Sequence, residues 1–133
     1  MYLIIQYRKY YINIVTFRFL REILDNLHKN VKTLNEKLPN YVPGLAIVQV
    51  GNREDSNVYI RMKIKAANDI GIFVDHVKLS NTITEIELIN KLNKLNNDPS
   101  IHGIIVQMPL DSINKINSHL ITDLVSPEKD VDG

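Results

Sequence analysis

The most uniformly apolar stretch of the chain is Leu45-Ala-Ile-Val-Gln-Val50, which the turn-forming pair Gly51-Asn52 ends. It shows no alternation of apolar and polar positions, a pattern typical of a strand that is covered on both faces. A second strand candidate covers residues 72–79, and another apolar run follows at residues 102–110. Because segments with helical spacing separate these runs, we expect parallel strands joined by helical crossovers. The sequence therefore predicts an α/β fold, a three-layer α/β/α domain with a mainly parallel sheet.

Apolar residues spaced three and four apart mark four amphipathic helices. We expect them over residues 20–38, from a cap at Asp55 or Ser56 to Gly71, after a cap at Thr82 or Thr84, and over about 117–125. The third helix is expected to bury a stripe made of Ile86, Ile89, Leu92 and Leu95. Ligands of open parallel sheets bind beyond the carboxyl ends of the strands, so we expect functional residues after Val50 and Val106.

The composition bounds the class of protein. With 133 residues, of which 44% are hydrophobic and 23% charged, the chain has the size and composition of one soluble globular domain. Its net charge of +1 indicates no nucleic-acid partner, since phosphate binding requires clustered Lys and Arg. The absence of cysteine excludes disulfides, thiolate zinc sites and thiol catalysis. The four histidines are scattered and predict no metal site.

The first 15 residues are apolar but interrupted by Arg8 and Lys9, which makes them too short and too charged to cross a bilayer. We therefore expect no membrane partner. Their basic charge without acids fits a mitochondrial leader, although such leaders are usually richer in serine. The alternative is a short extension or part of an incomplete first element.

A phenol and an ammonium occur four residues apart in Ser56-Asn-Val-Tyr-Ile-Arg-Met-Lys63. On a helix, Tyr59 and Lys63 would share one face, with their Cβ atoms about 5–6 Å apart. A surface lysine beside a half-buried tyrosine would explain the pair equally well. However, Ala66 and Ala67 continue the same stripe, so Lys63 would lie beside the buried face. Lost hydration there would lower the pKa of its ammonium and make the amine a usable proton acceptor.

The Tyr-x-x-x-Lys spacing is also that of the catalytic pair in short-chain dehydrogenases. That family requires a glycine-rich dinucleotide loop after an early strand. The corresponding loop here, residues 50–56, contains Gly51 as its one glycine. The composition of this loop disfavours a short-chain dehydrogenase.

Two further polar residues stand near predicted strand ends or turns. Gln107 interrupts the third apolar run, and a buried amide needs hydrogen-bond partners. It could bond to neighbouring backbone, or it could lie beside Lys63 and position a water or a substrate heteroatom. Asp132, in the tail Asp130-Val-Asp132-Gly133, could belong to a solvated turn, or its carboxylate could accept two N–H bonds from a heterocycle such as a pterin.

Four blocks of the chain follow one another in the order and spacing of a single family. They are Pro43-Gly-Leu-Ala-Ile-Val-Gln-Val-Gly51, Asp55-Ser-Asn-Val-Tyr-Ile-Arg-Met-Lys-Ile-Lys-Ala-Ala67, Ile101-His-Gly-Ile-Ile-Val-Gln-Met-Pro-Leu110 and Pro127-Glu-Lys-Asp-Val-Asp-Gly133. Together they resemble methylenetetrahydrofolate dehydrogenase/methenyltetrahydrofolate cyclohydrolase, from about residue 20 to the end. The stretch from Gln49 to Asn57 is most similar to the version in eukaryotic trifunctional one-carbon tetrahydrofolate synthases.

The resemblance implies a role for particular residues. Lys63 would be the catalytic lysine and Gln107 its partner. Tyr59 would stack on or line the folate ring, and Asp132 would grip the pterin edge. The other substrate-binding residues would be Ser56, near the site, and Val106 and Met108, which flank Gln107 along the substrate wall.

The implied activity is the NAD(P)-dependent oxidation of methylenetetrahydrofolate to methenyltetrahydrofolate and its hydrolysis to formyltetrahydrofolate, a part of one-carbon metabolism and purine biosynthesis. A folate substrate, a homodimer and a cytoplasmic location follow from the same resemblance, with a mitochondrial location as the alternative. The implied cofactor is NADP or NAD.

Residues 1–17 do not match the family's usual start, so we expect an extension there and the catalytic domain over 18–133. The family continues beyond the position of Gly133 into a Rossmann-like nucleotide-binding domain. No phosphate-cradling glycine loop occurs in the sequence, so we expect that this partner domain is absent and that no residue of this chain binds the cofactor. The alternative to an enzyme is a catalytically incomplete folate-binding or dimerisation fragment.

Overall fold

The computed structural model describes residues 4–7, 10–13, 43–69 and 71–130. Its elements in chain order are β1 (Ile4–Tyr7), β2 (Tyr10–Asn13), β3 (Gly44–Val50), α1 (Glu54–Asp69), β4 (Phe73–Leu79), α2 (Glu85–Asn96), β5 (Gly103–Val106) and α3 (Ser118–Leu124). The helix predicted over residues 20–38 lies outside the described residues. Among the helices that are described, none is long and apolar enough to cross a membrane.

The strands β1 and β2 form an antiparallel pair in which Ile5 lies opposite Ile12. The sequence patterns did not predict this pair. Both strands are rich in isoleucine and tyrosine, residue types that favour extended backbone.

The remaining strands form a parallel sheet in the order β4-β3-β5, with β3 at its centre. Ile47 of β3 pairs with His76 of β4 on one side and with Ile105 of β5 on the other. Every residue of β3 is buried, which confirms the prediction made from its continuous apolar run. The strand β5 is shorter than expected, because it ends at Val106 instead of continuing towards residue 110.

Two hydrophobic clusters cover the two faces of the sheet. The first joins Leu45 and Ile47 of β3 to Ile60 and Ala67 of α1. The second joins the alternate β3 residues to α2 and α3, through Ala46, Val48, Val50, Leu88, Leu92, Leu95 and Ile121. Because successive side chains of a strand point to opposite faces, α1 lies on one face and the other two helices lie on the opposite face. This arrangement is the predicted α/β/α sandwich.

The helix α1 begins at Glu54, earlier than the caps expected at Asp55 or Ser56. Asp55 instead lies in the first turn, where its negative carboxylate interacts favourably with the positive end of the helix dipole. The helix is followed by Gly71, as predicted. The φ of Gly71 is +85°, and its N–H donates to the carbonyl oxygen of Asn68 at 3.1 Å. This geometry is that of a helix end closed by a left-handed glycine.

The helix α2 has Thr84 as its N-cap, one of the two predicted candidates. The Thr84 side chain accepts a hydrogen bond from the N–H of Glu87 at 3.3 Å. The predicted buried stripe was wrong at its first position, because Ile86 is 67% exposed and Leu88 is fully buried. The packed positions Leu88, Leu92 and Leu95 follow the spacing of four and three that keeps a face in register with a helix of 3.6 residues per turn.

Candidate active site

The central feature of the site is a direct contact between Lys63 and Gln107. The Nζ atom of Lys63 donates to Oε1 of Gln107 at 2.9 Å. Lys63 lies on α1, and Gln107 follows the last residue of β5. The two residues are 44 positions apart in sequence and meet because α1 packs on one face of the sheet whose edge includes β5.

The Gln107 amide is held at both ends. Its backbone N–H donates to the carbonyl oxygen of Val48 at 2.9 Å, which extends the pairing with β3 one residue past the strand. Its side-chain Nε2 donates to the carbonyl oxygen of Met108 at 3.3 Å. The bond to neighbouring backbone therefore coexists with the bond to Lys63. Because an ammonium can only donate, the carbonyl oxygen of the amide is the atom that faces the lysine.

Tyr59 lies one helical turn before Lys63 and is 55% exposed. Its ring is thus accessible to a flat ligand, and stacking on such a ring is favourable. Ser56, one turn earlier, is only 3% exposed. Its Oγ has no hydrogen-bond partner among the described residues, so the hydroxyl is enclosed within the helix–sheet interface and not on the open surface.

Val106 and Met108 flank Gln107 in sequence but pack in the other direction. Val106 is 8% exposed and belongs to the cluster between the sheet and α2 and α3, and the partly buried Met108 packs against the same cluster. In extended backbone, neighbouring side chains point to opposite sides. The alternation that directs Gln107 towards α1 therefore directs these two side chains away from Lys63.

Asp132 lies outside the described residues, but the segment that leads to it is described. Asp130 forms a parallel bridge with Ile104, and the N–H of Ile104 donates to the carbonyl oxygen of Lys129 at 2.7 Å. The Nζ atom of Lys129 donates to the carbonyl oxygens of Leu95 and Asp98, which lie at the end of α2 and just after it. The tail is thus attached along β5, an arrangement that the sequence patterns did not predict.

An open cavity of about 390 Å³ lies beyond the carboxyl ends of β3 and β4. It is lined by Gly51, Asn52, Lys78, Leu79, Ser80, Asn81 and Asp111. Lys63 and Gln107 are not among these lining residues. Its location agrees with the rule for ligand sites in parallel sheets. The polar residues after Val50 and after residue 79 are the sequence signal that could have indicated it.

The structure also contains a buried amide that the sequence reasoning missed. Gln49 is 1% exposed and interrupts its apolar strand as Gln107 interrupts the third apolar run. Its Nε2 donates to Oδ1 of Asn57 on α1 at 2.8 Å, and its Oε1 lies 2.9 Å from Nε2 of His76 on β4. A polar residue within an apolar run was the available signal.

Comparison with known proteins places the chain in a family. Residues 17–132 match the family described as tetrahydrofolate dehydrogenase/cyclohydrolase, catalytic domain. The chain belongs to this family. The described residues contain no group of three or more His, Cys, Asp or Glu side chains that could hold a metal ion.

Relatives with similar sequences include cytoplasmic C-1-tetrahydrofolate synthases. The Drosophila melanogaster protein is 62% identical over 113 residues, and the Homo sapiens protein is 49% identical over 112 residues. These alignments cover 85% and 84% of this chain. The chain spans 12% of the length of each of these relatives.

Solved structures of the family share the fold. A 5,10-methylenetetrahydrofolate dehydrogenase from the silkworm Bombyx mori superposes with a TM-score of 0.69 at 31% identity, over 90% of this chain and 39% of that one. The Trypanosoma brucei methylenetetrahydrofolate dehydrogenase-cyclohydrolase, solved with NADP and an inhibitor, gives a TM-score of 0.67 at 31% identity, over 87% and 37%.

Proposed function

We propose that this chain supplies the folate half of a methylenetetrahydrofolate dehydrogenase/methenyltetrahydrofolate cyclohydrolase site, with residues 18–133 as its catalytic domain. The observation that carries the proposal is the 2.9 Å bond between Lys63 and Gln107. It places a titratable amine and a neutral amide together at the edge of the sheet where ligands of this fold class bind. Tyr59 on the same helix adds an accessible aromatic ring.

In the hydrolytic step, water adds to the cationic methenyl carbon. This addition gives a neutral hydroxy adduct and releases one proton. We assign the uptake of that proton to Lys63 in its neutral amine form, which thereby becomes the ammonium that Gln107 holds. Opening of the ring then breaks one carbon–nitrogen bond, and the proton of the hydroxyl group moves to the nitrogen that leaves. General acid–base assistance of this kind contributes about 10²–10⁴-fold to a rate.

Gln107 is assigned to positioning the amine. A neutral amide oxygen can hold the ammonium by a hydrogen bond without competing for its proton. A carboxylate at the same place would compete for that proton. Tyr59 is assigned to stacking on the folate ring, and Asp132 to the pterin edge. For Ser56, Val106 and Met108 we propose a supporting role. Their side chains are buried or point away from Lys63, so they are better placed to shape the site than to contact the substrate.

The oxidative step requires NADP or NAD, and the described residues do not fit such a cofactor. A dinucleotide site needs a glycine-rich turn in which backbone can approach a pyrophosphate. In the turn between β3 and α1, a Cβ atom on Gly51 would lie 2.6 Å from the carbonyl oxygen of Asp111, so this glycine is already packed against protein. We therefore place the cofactor outside the described residues.

The names of the relatives and the family resemblance support further assignments. We propose a folate derivative as the substrate, a cytoplasmic location because the relatives are named cytoplasmic C-1-tetrahydrofolate synthases, and a homodimer by resemblance to the family. The competing proposal is a catalytically incomplete fragment that binds folate or mediates dimerisation. The exposed ring of Tyr59 favours it equally, because stacking needs no turnover.

The test is hydrolysis of methenyltetrahydrofolate by the purified chain, followed by loss of its absorbance, together with titration of a folate analogue. Lys63→Met should lower the rate by about 10²–10⁴-fold and leave the affinity for the analogue within about 3-fold. The matched control is Lys65→Met, which removes an exposed lysine from the same helix and should leave both values within about 2-fold.

Retained turnover in Lys63→Met would remove this lysine from the proposed role. Binding of the analogue without turnover in the unsubstituted chain would instead support the binding fragment.

A further inference from the structure

The helix α1 is hydrogen-bonded to the sheet on both flanks of its buried face. Ile60, which is 1% exposed, packs in the cluster between α1 and the sheet. Asn57 and Lys63 lie three residues before and three residues after it. At 3.6 residues per turn, each is rotated by about 60° from Ile60, in opposite directions. Asn57 bonds to Gln49 at the end of the central strand, and Lys63 bonds to Gln107 after the edge strand β5.

The bond on the Asn57 side belongs to a chain of side chains whose donors and acceptors are all determined. Lys78 donates to Oδ1 of Asn52 at 2.7 Å, and Nδ2 of Asn57 donates to the same oxygen at 3.0 Å. The Oδ1 of Asn57 is then the acceptor for Nε2 of Gln49. Because a lysine ammonium can only donate, it fixes the orientation of each amide in turn.

The far end of this series of hydrogen-bonded side chains is His76 on β4. The Oε1 of Gln49 is an acceptor, so the Nε2 atom of His76 must carry a hydrogen. Partial loss of hydration, and secondarily the charge of Lys78, lower the pKa of His76, which favours a neutral ring. Gln49 therefore connects α1, the central strand and the neighbouring strand through one side chain, and this residue is only 1% exposed.

We propose that Gln49 is a positioning residue for Lys63, an inference that rests on the catalytic role proposed for that lysine. Apolar contacts at Ile60 and Ala67 resist separation of α1 from the sheet, but they resist rotation of the helix about its axis only weakly. Side chains of a helix reach about 5–6 Å from the axis, so a rotation of about 10° displaces a side chain by about 1 Å. The bond between Gln49 and Asn57 opposes this rotation.

A displacement of this size matters for catalysis. An error of about 1 Å in the position of a reacting group can lower a rate by about 10²-fold. We therefore expect Gln49→Leu, which removes both hydrogen bonds at similar volume, to lower kcat for methenyltetrahydrofolate hydrolysis by about 10–100-fold and to change KM less. Asn57→Ala should have the same effect, and the double variant should be no slower than the slower single variant within about 2-fold.

The matched control is Asn96→Leu. The amide of Asn96 also uses both ends, since its Nδ2 donates to the carbonyl oxygen of Leu124 and its Oδ1 accepts from the N–H of Ser126. It joins the end of α2 to the end of α3 and the segment after it, and it lies on the other side of the sheet from α1. This variant should lose comparable stability, measured by thermal unfolding, and keep kcat within about 2-fold.

A second readout does not depend on turnover. In protein labelled with ¹⁵N at lysine Nζ, the signal of Lys63 is the one that disappears in Lys63→Met. It should move towards the signals of exposed lysines in Gln49→Leu and stay in place in Asn96→Leu.

An unchanged Lys63 signal in Gln49→Leu would overturn the inference, whatever the activity of the chain. An equal loss of kcat in Asn96→Leu at equal stability would also overturn it. If the unsubstituted chain shows no turnover, that result counts against the proposed function alone, and the Lys63 signal decides the positioning role.

Discussion

Two glycines of this chain have nearly the same backbone conformation in very different surroundings. The φ angles of Gly51 and Gly71 are +83° and +85°, in the left-handed region that other residues rarely adopt. A Cβ atom on Gly51 would lie 2.6 Å from the carbonyl oxygen of Asp111 and 2.7 Å from both Cβ and Oδ2 of that residue. A Cβ atom on Gly71 would meet nothing within 4 Å. Alanine substitutions at the two positions therefore separate conformational strain from steric overlap.

The expected magnitudes follow from these distances. A left-handed conformation costs a residue with a Cβ about 1–2 kcal/mol, and this cost applies at both positions. Overlap in a packed region adds about 1–3 kcal/mol at Gly51 alone, because one of the atoms it meets is backbone and cannot rotate away. We therefore predict that Gly71→Ala lowers the free energy of unfolding by about 1–2 kcal/mol and Gly51→Ala by about 2–5 kcal/mol.

The measurement is urea unfolding of both variants and the unsubstituted chain, followed by circular dichroism, with equal m-values as the condition for comparing midpoints. Gly71→Ala serves as the control for conformational strain. Losses that agree within about 0.5 kcal/mol would refute the reasoning, because the overlap at Gly51 would then have been relieved by movement of the Asp111 segment.

Two further predictions concern the core and its response to acid. Nδ1 of His102 accepts the N–H of Gly44 at 3.0 Å, and burial, then the charge of Lys129, lower the pKa of His102 from 6.5. As the pH falls, the unfolded chain therefore takes up this proton before the folded chain does. The contribution of His102 to the free energy of unfolding is thus complete above about pH 6.5 and decreases below it. His102→Asn, which keeps an acceptor, should flatten the decrease between pH 7 and 5 in thermal melts; an unchanged slope would contradict this. Leu92→Ala should lower the free energy of unfolding in urea by about 2–5 kcal/mol because Leu92 is fully buried. The control Ile86→Ala, at a 67% exposed position, should stay within about 0.5 kcal/mol, and equal losses would contradict the assigned packing.

Local patterns were sufficient for much of the architecture. The continuous apolar run at residues 45–50 predicted a strand covered on both faces, and helical spacing predicted the helices that became α1, α2 and α3. The placement of Tyr59 and Lys63 on one helix followed from their spacing alone. These features depend on residues within a few positions of one another, so backbone geometry and burial constrain them without knowledge of the rest of the chain.

Features that depend on the relative position of distant segments were not accessible in this way. The amphipathic pattern of α2 allowed both Ile86 and Leu88 on its inner face, and only the packing against the sheet distinguished them. Gln49 and Gln107 give the same signal in the sequence, an amide within an apolar run. Only the order of the strands shows that one amide reaches Asn57 and the other Lys63.

The sequence by itself determined the class of fold, the helix that carries Lys63 and the strand that Gln107 follows, because each is indicated by a local pattern. The tertiary structure alone decided that these two side chains meet at 2.9 Å, that Val106 and Met108 turn to the opposite face, and that Lys129 attaches the tail to α2. The reason is physical: a hydrogen bond has a tolerance of a few tenths of an ångström, and that precision arises only when helix and sheet are packed together.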